Sequence, residues 1–271
     1  MFFENVECRR ENDMTLVITE VSEKFGCVVV GDTAVTVNGT DVILGAEKVH
    51  YSDTAMIGFA IWGNACLAGR RVDERVAAFV VGLPNTASPR SAGQELAGFL
   101  GSEGTKDGRP WTALRGGVHV CGYQDGVPVL FHVHTGPELP APQGPFRLYE
   151  DYPDASAGVH LRNGYYPMFA ALFTGMQGYV QSLGKLGFKW PYENVEDRVS
   201  YYSIMVETVA QTLKAAGRLP KVGSAVSALA FNQNGIQVEK RLPRAGEFCK
   251  NTNAAASFCE LDSNSQRVCS V

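Results

Sequence analysis

Two hydrophobic periods organise this chain. In some stretches apolar residues come in short β-branched runs or at every second position; in others they recur at every third and fourth. Residues 15–21 and 26–31 flank Ser22-Glu23-Lys24-Phe25 and read as a hairpin, with Gly26 helping the turn. Residues 33–37 extend its second strand, and Asn38-Gly39-Thr40-Asp41 reads as a loop. Residues 48–51 and 56–62 form another antiparallel pair across Ser52-Asp53-Thr54. The period then changes. Val72, Val76, Phe79 and Val80 predict a helix within 67–81, and Ser88-Pro89 caps a second helix carrying Leu96, Phe99 and Leu100, with 101–108 as a loop. Strands return at 117–123 and 127–134, joined by a hairpin at Asp125-Gly126.

A proline-rich connection through Pro137, Pro140, Pro142 and Pro145 leads to short extended pieces near 146–149 and 158–161. Phe169, Leu172, Phe173, Met176, Val180 and Leu183 predict a third helix; Val199, Tyr202, Val206, Val209 and Leu213 predict a fourth. A last hairpin, 225–231 and 236–240, turns at Asn234-Gly235. Strands come in antiparallel pairs, without the strand–helix alternation that builds a doubly wound parallel sheet. Two stacked antiparallel sheets, each covered on its outer face by a helix pair, would bury every apolar surface. The expected fold is α+β, a four-layer α/β/β/α sandwich in one domain over residues 14–241. Residues 1–13 are polar and read as a leader, a propeptide or a start-site artefact, with Met14 as the initiator; residues 242–271 form a weakly patterned tail.

Composition narrows the function. The 271 residues are 45% hydrophobic and 19% charged, with a net charge of −4, an ordinary globular balance. No lysine–arginine run marks a nucleic-acid binder. No apolar run approaches the roughly 18 residues of a membrane span, and residues 1–13 do not resemble a secretory signal. Seven cysteines, three of them (Cys27, Cys66, Cys121) in or beside apolar runs and none in a CxxC, read as reduced thiols in the cytoplasm. His132 and His134 share one face of a strand, but no third ligand stands at a recognisable spacing, so they read as a sheet pair. Cys249, Cys259 and Cys269 carry no metal-ligand pattern of their own. Nucleotide-binding glycine motifs and Gly-x-Ser-x-Gly are absent. No metal or cofactor is expected.

Four polar or glycine positions stand at strand junctions between 14 and 63: Thr15, Asp32, Lys48 and Gly63. A hydroxyl, a carboxylate, an amine and a glycine so placed can form one site. With Asp32-Thr33-Ala34-Val35-Thr36 and Lys48-Val49, this stretch resembles the start of the proteasome-type β subunits among the N-terminal-nucleophile hydrolases. The resemblance implies the sandwich of that class, a threonine peptidase, side-by-side packing into a homo-oligomer, and a peptide or protein substrate. An unfoldase partner is compatible with it, though no residue marks one.

The implied roles make chemical sense. Thr15 Oγ1 is the nucleophile, and its own α-amine, ordinarily titrating near 7.7–8.0, is the base that activates it. Lys48 favours the alkoxide, Asp32 pairs with Lys48, and the Gly63 N–H donates to the oxyanion. Thr36 edges the groove in which a peptide adds as a strand. Two other readings remain open: a non-catalytic scaffold or binding subunit whose Thr15 amine is blocked, and an amidase of small molecules.

Overall fold

The computed structural model describes residues 15–37, 41–63, 66–108, 114–135, 146–149, 159–164, 174–175, 194–216, 222–223 and 225–240; for residues 35–37, 41–44, 149, 159–162 and 164 it describes the backbone alone. In chain order the elements are β1 (Leu16–Ser22), β2 (Gly26–Asp32), β3 (Ala34–Val37), β4 (Asp41–Leu44), β5 (Val49–Ser52), β6 (Ile57–Gly63), β7 (Cys66–Leu67), β8 (Arg70–Arg71), α1 (Val72–Val81), α2 (Pro89–Lys106), β9 (Gly116–Gln124), β10 (Val127–His134), β11 (Arg147–Tyr149), β12 (Val159–Gly164), α3 (Val195–Ala215), β13 (Val226–Asn232) and β14 (Gly235–Lys240).

These elements make an α+β fold with two five-stranded antiparallel sheets, ordered β12-β1-β2-β13-β14 and β11-β10-β9-β6-β5, and two small two-stranded ladders, β3-β4 and β7-β8. β1 and β2 are buried along their whole length, so their two faces serve two cores. Leu16, Ile18, Val28 and Val30 pack against Tyr202, Met205, Val206 and Val209 of α3. Val17, Val21, Cys27 and Val29 point the other way and meet Val49, Ala60, Cys121 and Leu130 of the second sheet. The far side of that second sheet, through Phe59, Val118, Val120 and Phe131, packs on Val76 and Val80 of α1 and Leu96 and Leu100 of α2. Period-two alternation along each strand separates the residues that serve the two cores.

The helix ends follow local rules. Ser88 accepts from the Ser91 N–H at 3.1 Å and Ser91 Oγ accepts from the Ser88 N–H at 2.9 Å, a reciprocal cap with Pro89 opening α2. Asn194 accepts from the Asp197 N–H at 2.8 Å to start α3. Three expectations change. α2 runs on to Lys106 where a loop from 101 was expected, because Glu103 is tied to Arg75 at 2.9 Å and to Lys106 at 3.0 Å. The helix expected within 67–81 starts only at Val72, after the small β7-β8 ladder. Residues 34–37 do not extend β2; the chain bends after Asp32 and pairs instead with β4. The predicted helix near 169–183 lies outside the described residues apart from 174–175. The chain's contacts separate residues 1–241 from 242–271, and the second group lies outside the described residues.

Candidate active site

The register fixes which strand ends lie together. Leu16 pairs with Gly164, Val17 with Gly31, and Val226 with Asp32, so β1, β2, β12 and β13 share one end of the first sheet. In the second sheet Gly63 pairs with Gly116 and His134 with Gly117, which puts the ends of β6, β9 and β10 together. Lys48, immediately before β5, joins the two sheets at this end. Its Nζ donates to Thr15 Oγ1 at 2.9 Å and to Asp32 Oδ1 at 2.9 Å. All three side chains are buried, at 3% exposure for Thr15, 2% for Lys48 and 0% for Asp32.

Asp32 organises the cluster. Oδ1 accepts from the Leu16 N–H at 2.8 Å as well as from Lys48, and Oδ2 accepts from the Ala34 N–H at 3.0 Å and the Gly223 N–H at 2.8 Å. Each oxygen thus receives two donors, which suits a buried acceptor-only carboxylate. These bonds also pin the entry to β1, the bend after β2 and the approach to β13. The bend that separates β3 from β2 is the backbone's response to Asp32 taking the Ala34 N–H.

Burial depresses the Lys48 pKa from its ordinary value, opposed by the attraction of Asp32 and more weakly of Asp73. A lysine moved toward neutrality beside a hydroxyl can stabilise an alkoxide or exchange a proton with it. Gly31 lets the two sheets close beside that lysine: a Cβ there would lie 3.2 Å from Val17 Cγ1 and 3.3 Å from Val49 Cγ2, both tight, and 3.7 Å from Lys48 Cβ, an ordinary contact.

Gly63 closes β6 with φ +88°, where a side chain is strained, and a Cβ would meet Gly116 Cα at 2.3 Å and Arg115 O at 2.5 Å. The Ile61 N–H donates to the Lys48 carbonyl at 2.9 Å, and this bond holds the end of β6 alongside Lys48. Of the five residues picked out by sequence, Thr15 and Asp32 both contact Lys48, and Gly63 lies two residues beyond that bond. Thr36 falls on β3 opposite Val42, and its side chain is outside what is described.

Sequence reasoning missed Gly31 and Gly223. A glycine interrupting the valine run before Asp32 was the legible signal for the first. The contact of Gly223 depends on a strand 191 positions away in sequence, and nothing local announces it.

Beside this cluster a second polar group lies between the sheets. Thr19 Oγ1 and His119 Nδ1 are 2.8 Å apart, His119 Nε2 and Asn163 Oδ1 are 2.8 Å apart, and Trp62 Nε1 donates to His132 Nε2 at 2.9 Å. His132 and His134 do share a face, with ring centroids 4.1 Å apart. Burial lowers the His119 pKa to about 4 and holds His132 well below the usual histidine range, the neighbouring histidines adding to the effect on each.

The fold has counterparts among solved structures. It is similar to the Gly-1 mutant of Anbu from Hyphomicrobium sp. strain MC1, at TM-score 0.51 and 14% identity over 88% of this chain and 90% of that one. Anbu (ancestral beta-subunit) from Yersinia bercovieri matches at TM-score 0.54 and 14% identity over 86% and 89%. No protein-family model and no curated protein matches the sequence.

These findings correct the assignment to the proteasome-type β subunits of the N-terminal-nucleophile hydrolases. The structural neighbours are Anbu proteins, and at 14% identity the likeness is one of fold alone. The physical reason is that residues 14–63 specify one cluster at a sheet end. Such a cluster cannot tell apart proteins that share a strand order and little sequence.

Proposed function

We propose that this protein is an amidohydrolase that cleaves peptide bonds through an acyl-enzyme ester on Thr15. The observation that carries the reading is the position of Lys48 Nζ, 2.9 Å from both Thr15 Oγ1 and Asp32 Oδ1 in a buried site. A threonine hydroxyl is a weak nucleophile and needs a base. The α-amine of Thr15, once free, is the base: it takes the hydroxyl proton as Oγ1 attacks the carbonyl carbon and returns it to the leaving amine. Lys48 meanwhile stabilises the negative charge gathering on Oγ1, and Asp32 holds Lys48 in place. Water then hydrolyses the ester and restores Thr15.

Strand geometry supports Gly63 as the oxyanion donor. N–H groups two residues apart point to the same side of a strand, so the Gly63 N–H follows that of Ile61 toward Lys48, past the last β5–β6 pair at Val49 and Ala60. Thr36 lines the substrate strand's path. In this reading the mature chain begins at Thr15, residues up to 241 form the catalytic domain, and a second helix beside α3 completes four layers. The protein works in the cytoplasm as a homo-oligomer. No described helix is long and apolar enough to cross a membrane.

Thr15→Ala tests the reading on a panel of chromogenic peptides and small amides. The variant should retain its fold by circular dichroism and lose at least about a thousandfold in kcat, about 4 kcal/mol of barrier. Retained peptide turnover by Thr15→Ala would remove Thr15 from the chemistry. Turnover of small amides alone would make the enzyme a small-molecule amidase.

A further inference from the structure

The geometry points to His132 as a positioning residue for the Gly63 N–H, acting through Trp62; this rests on the oxyanion role proposed for Gly63. Trp62 is the residue before Gly63, so the peptide plane that carries the Gly63 N–H is the one joining the two. That plane sits where regular pairing ends, since the last register pair is Gly63 with Gly116 and φ at Gly63 turns positive. Both flanking residues are paired with β9, Trp62 with Gly117 and Gly63 with Gly116, and the Trp62 side chain adds a second hold on the plane's tilt.

The indole is fixed at both of its available points. Its single polar atom donates to His132 Nε2 at 2.9 Å. Its ring lies against β9 at Gly117, where a Cβ would come within 2.9 Å of Trp62 Nε1, 2.7 Å of His134 Cβ and 2.4 Å of the Val133 carbonyl oxygen. Because indole only donates, His132 Nε2 must be the unprotonated nitrogen, and His132 is the Nδ1–H tautomer.

His132 is itself clamped. The His134 ring lies across it at 4.1 Å and 33°, and His119 meets it edge-on at 5.1 Å and 84°. His119 is held in turn by Thr19 of β1 and Asn163 of β12, each at 2.8 Å. A run of fixed rings therefore ties β1 and β12, the strands next to Thr15, to the strand end that carries Gly63. Burial keeps His132 and His119 neutral, the state in which His132 can accept from Trp62. An oxyanion hydrogen bond weakens steeply with misalignment, so a plane free to tilt loses stabilisation of the transition state before it loses substrate binding.

The test compares the full-length wild type with His132→Ala, His132→Gln and Trp62→Phe, reading kcat, KM and deuterium uptake of peptides spanning residues 62–63 and 16–22. Gln can present a carbonyl oxygen where Nε2 stood; Phe keeps a ring and deletes the donor. His132→Ala and Trp62→Phe should each lower kcat about tenfold to a hundredfold with KM within about twofold. Uptake should quicken at 62–63 and not at 16–22. His132→Gln should stay within about threefold of wild type, and His132→Ala should cost nothing further in the Trp62→Phe background.

Unchanged kcat and uptake in Trp62→Phe would overturn the proposal, as would a Gln variant as impaired as the Ala variant. Should His132→Ala fail to fold, Trp62→Phe and His132→Gln still decide. If the wild type cleaves no amide, the Thr15 reading falls by itself, while the uptake comparison continues to report on the Trp62–His132 latch.

Discussion

Two buried ionic clusters flank β1, and they are built differently. On the face toward α3, Glu20 receives Arg198 Nε at 2.5 Å, Arg198 Nη2 at 2.9 Å and the Tyr202 hydroxyl at 2.7 Å. On the face toward the second sheet, Lys48 meets Asp32 and the Thr15 hydroxyl. Both carboxylates are well supplied with donors, so satisfaction of the anion does not separate them. The cation does. Arg198 presents a planar fork, stays protonated at any working pH, and covers the rings of Phe25 and Tyr202 at 5.5 Å and 5.2 Å. That pair joins α3 to β1. Lys48 is a point charge whose pKa burial pushes down, and it faces a nucleophile-type hydroxyl as well as its counter-ion. The first cluster fastens α3 to β1; in the second a lysine lies between a carboxylate and a hydroxyl.

The comparison breaks most visibly at Lys48. Lys48→Arg keeps a cation beside Asp32 but replaces a tunable ammonium with a fixed, bulkier fork. It should lower kcat by at least about a thousandfold, about 4 kcal/mol; activity within tenfold of wild type would equate the two clusters. Arg198→Met should do the reverse. Leaving Glu20 buried without its cation costs about 3–5 kcal/mol in urea unfolding, with kcat per folded molecule unchanged.

A smaller effect comes from pH. His119 and His132 stay neutral in the fold below the pH at which they charge in the unfolded chain, so unfolding takes up protons. Stability falls as pH drops below about 6.5, for His119 down to about 4, by up to about 1.4 kcal/mol per pH unit for each histidine. His119→Gln should flatten that slope in urea titrations at pH 7, 6 and 5. Smallest is Thr19→Val, on the same face of β1 as Thr15. Removing a hydroxyl paired with a neutral histidine should cost about 1–2 kcal/mol of stability in urea unfolding.

Much of this was legible in the sequence, for local reasons. Ser88-Pro89 opens α2, Asp125-Gly126 turns β9 into β10, and Asn234-Gly235 turns β13 into β14, because caps and tight turns depend on a few adjacent residues. Thr15, Asp32 and Lys48 could be picked out because each stands where an apolar run begins or ends. What escaped was non-local. The bend at Asp32 that frees β3 depends on which backbone donors a carboxylate captures, and the extra turns of α2 depend on Arg75 reaching Glu103 from another helix. His132 and His134 were read as a sheet pair, which the stacked rings agree with. Their link to Trp62 and Gly63 needed the β6–β9–β10 register, which no single strand encodes.

The proposed chemistry requires a Thr15 hydroxyl activated by its own free α-amine. Native protein incubated with a β-lactone, then digested and analysed by mass spectrometry, tests that most directly. The account predicts a chain that begins at Thr15 and carries one acyl adduct on that residue, with no adduct in Lys48→Arg. A chain still bearing Met14 ahead of Thr15, or a free Thr15 that stays unlabelled, would contradict it.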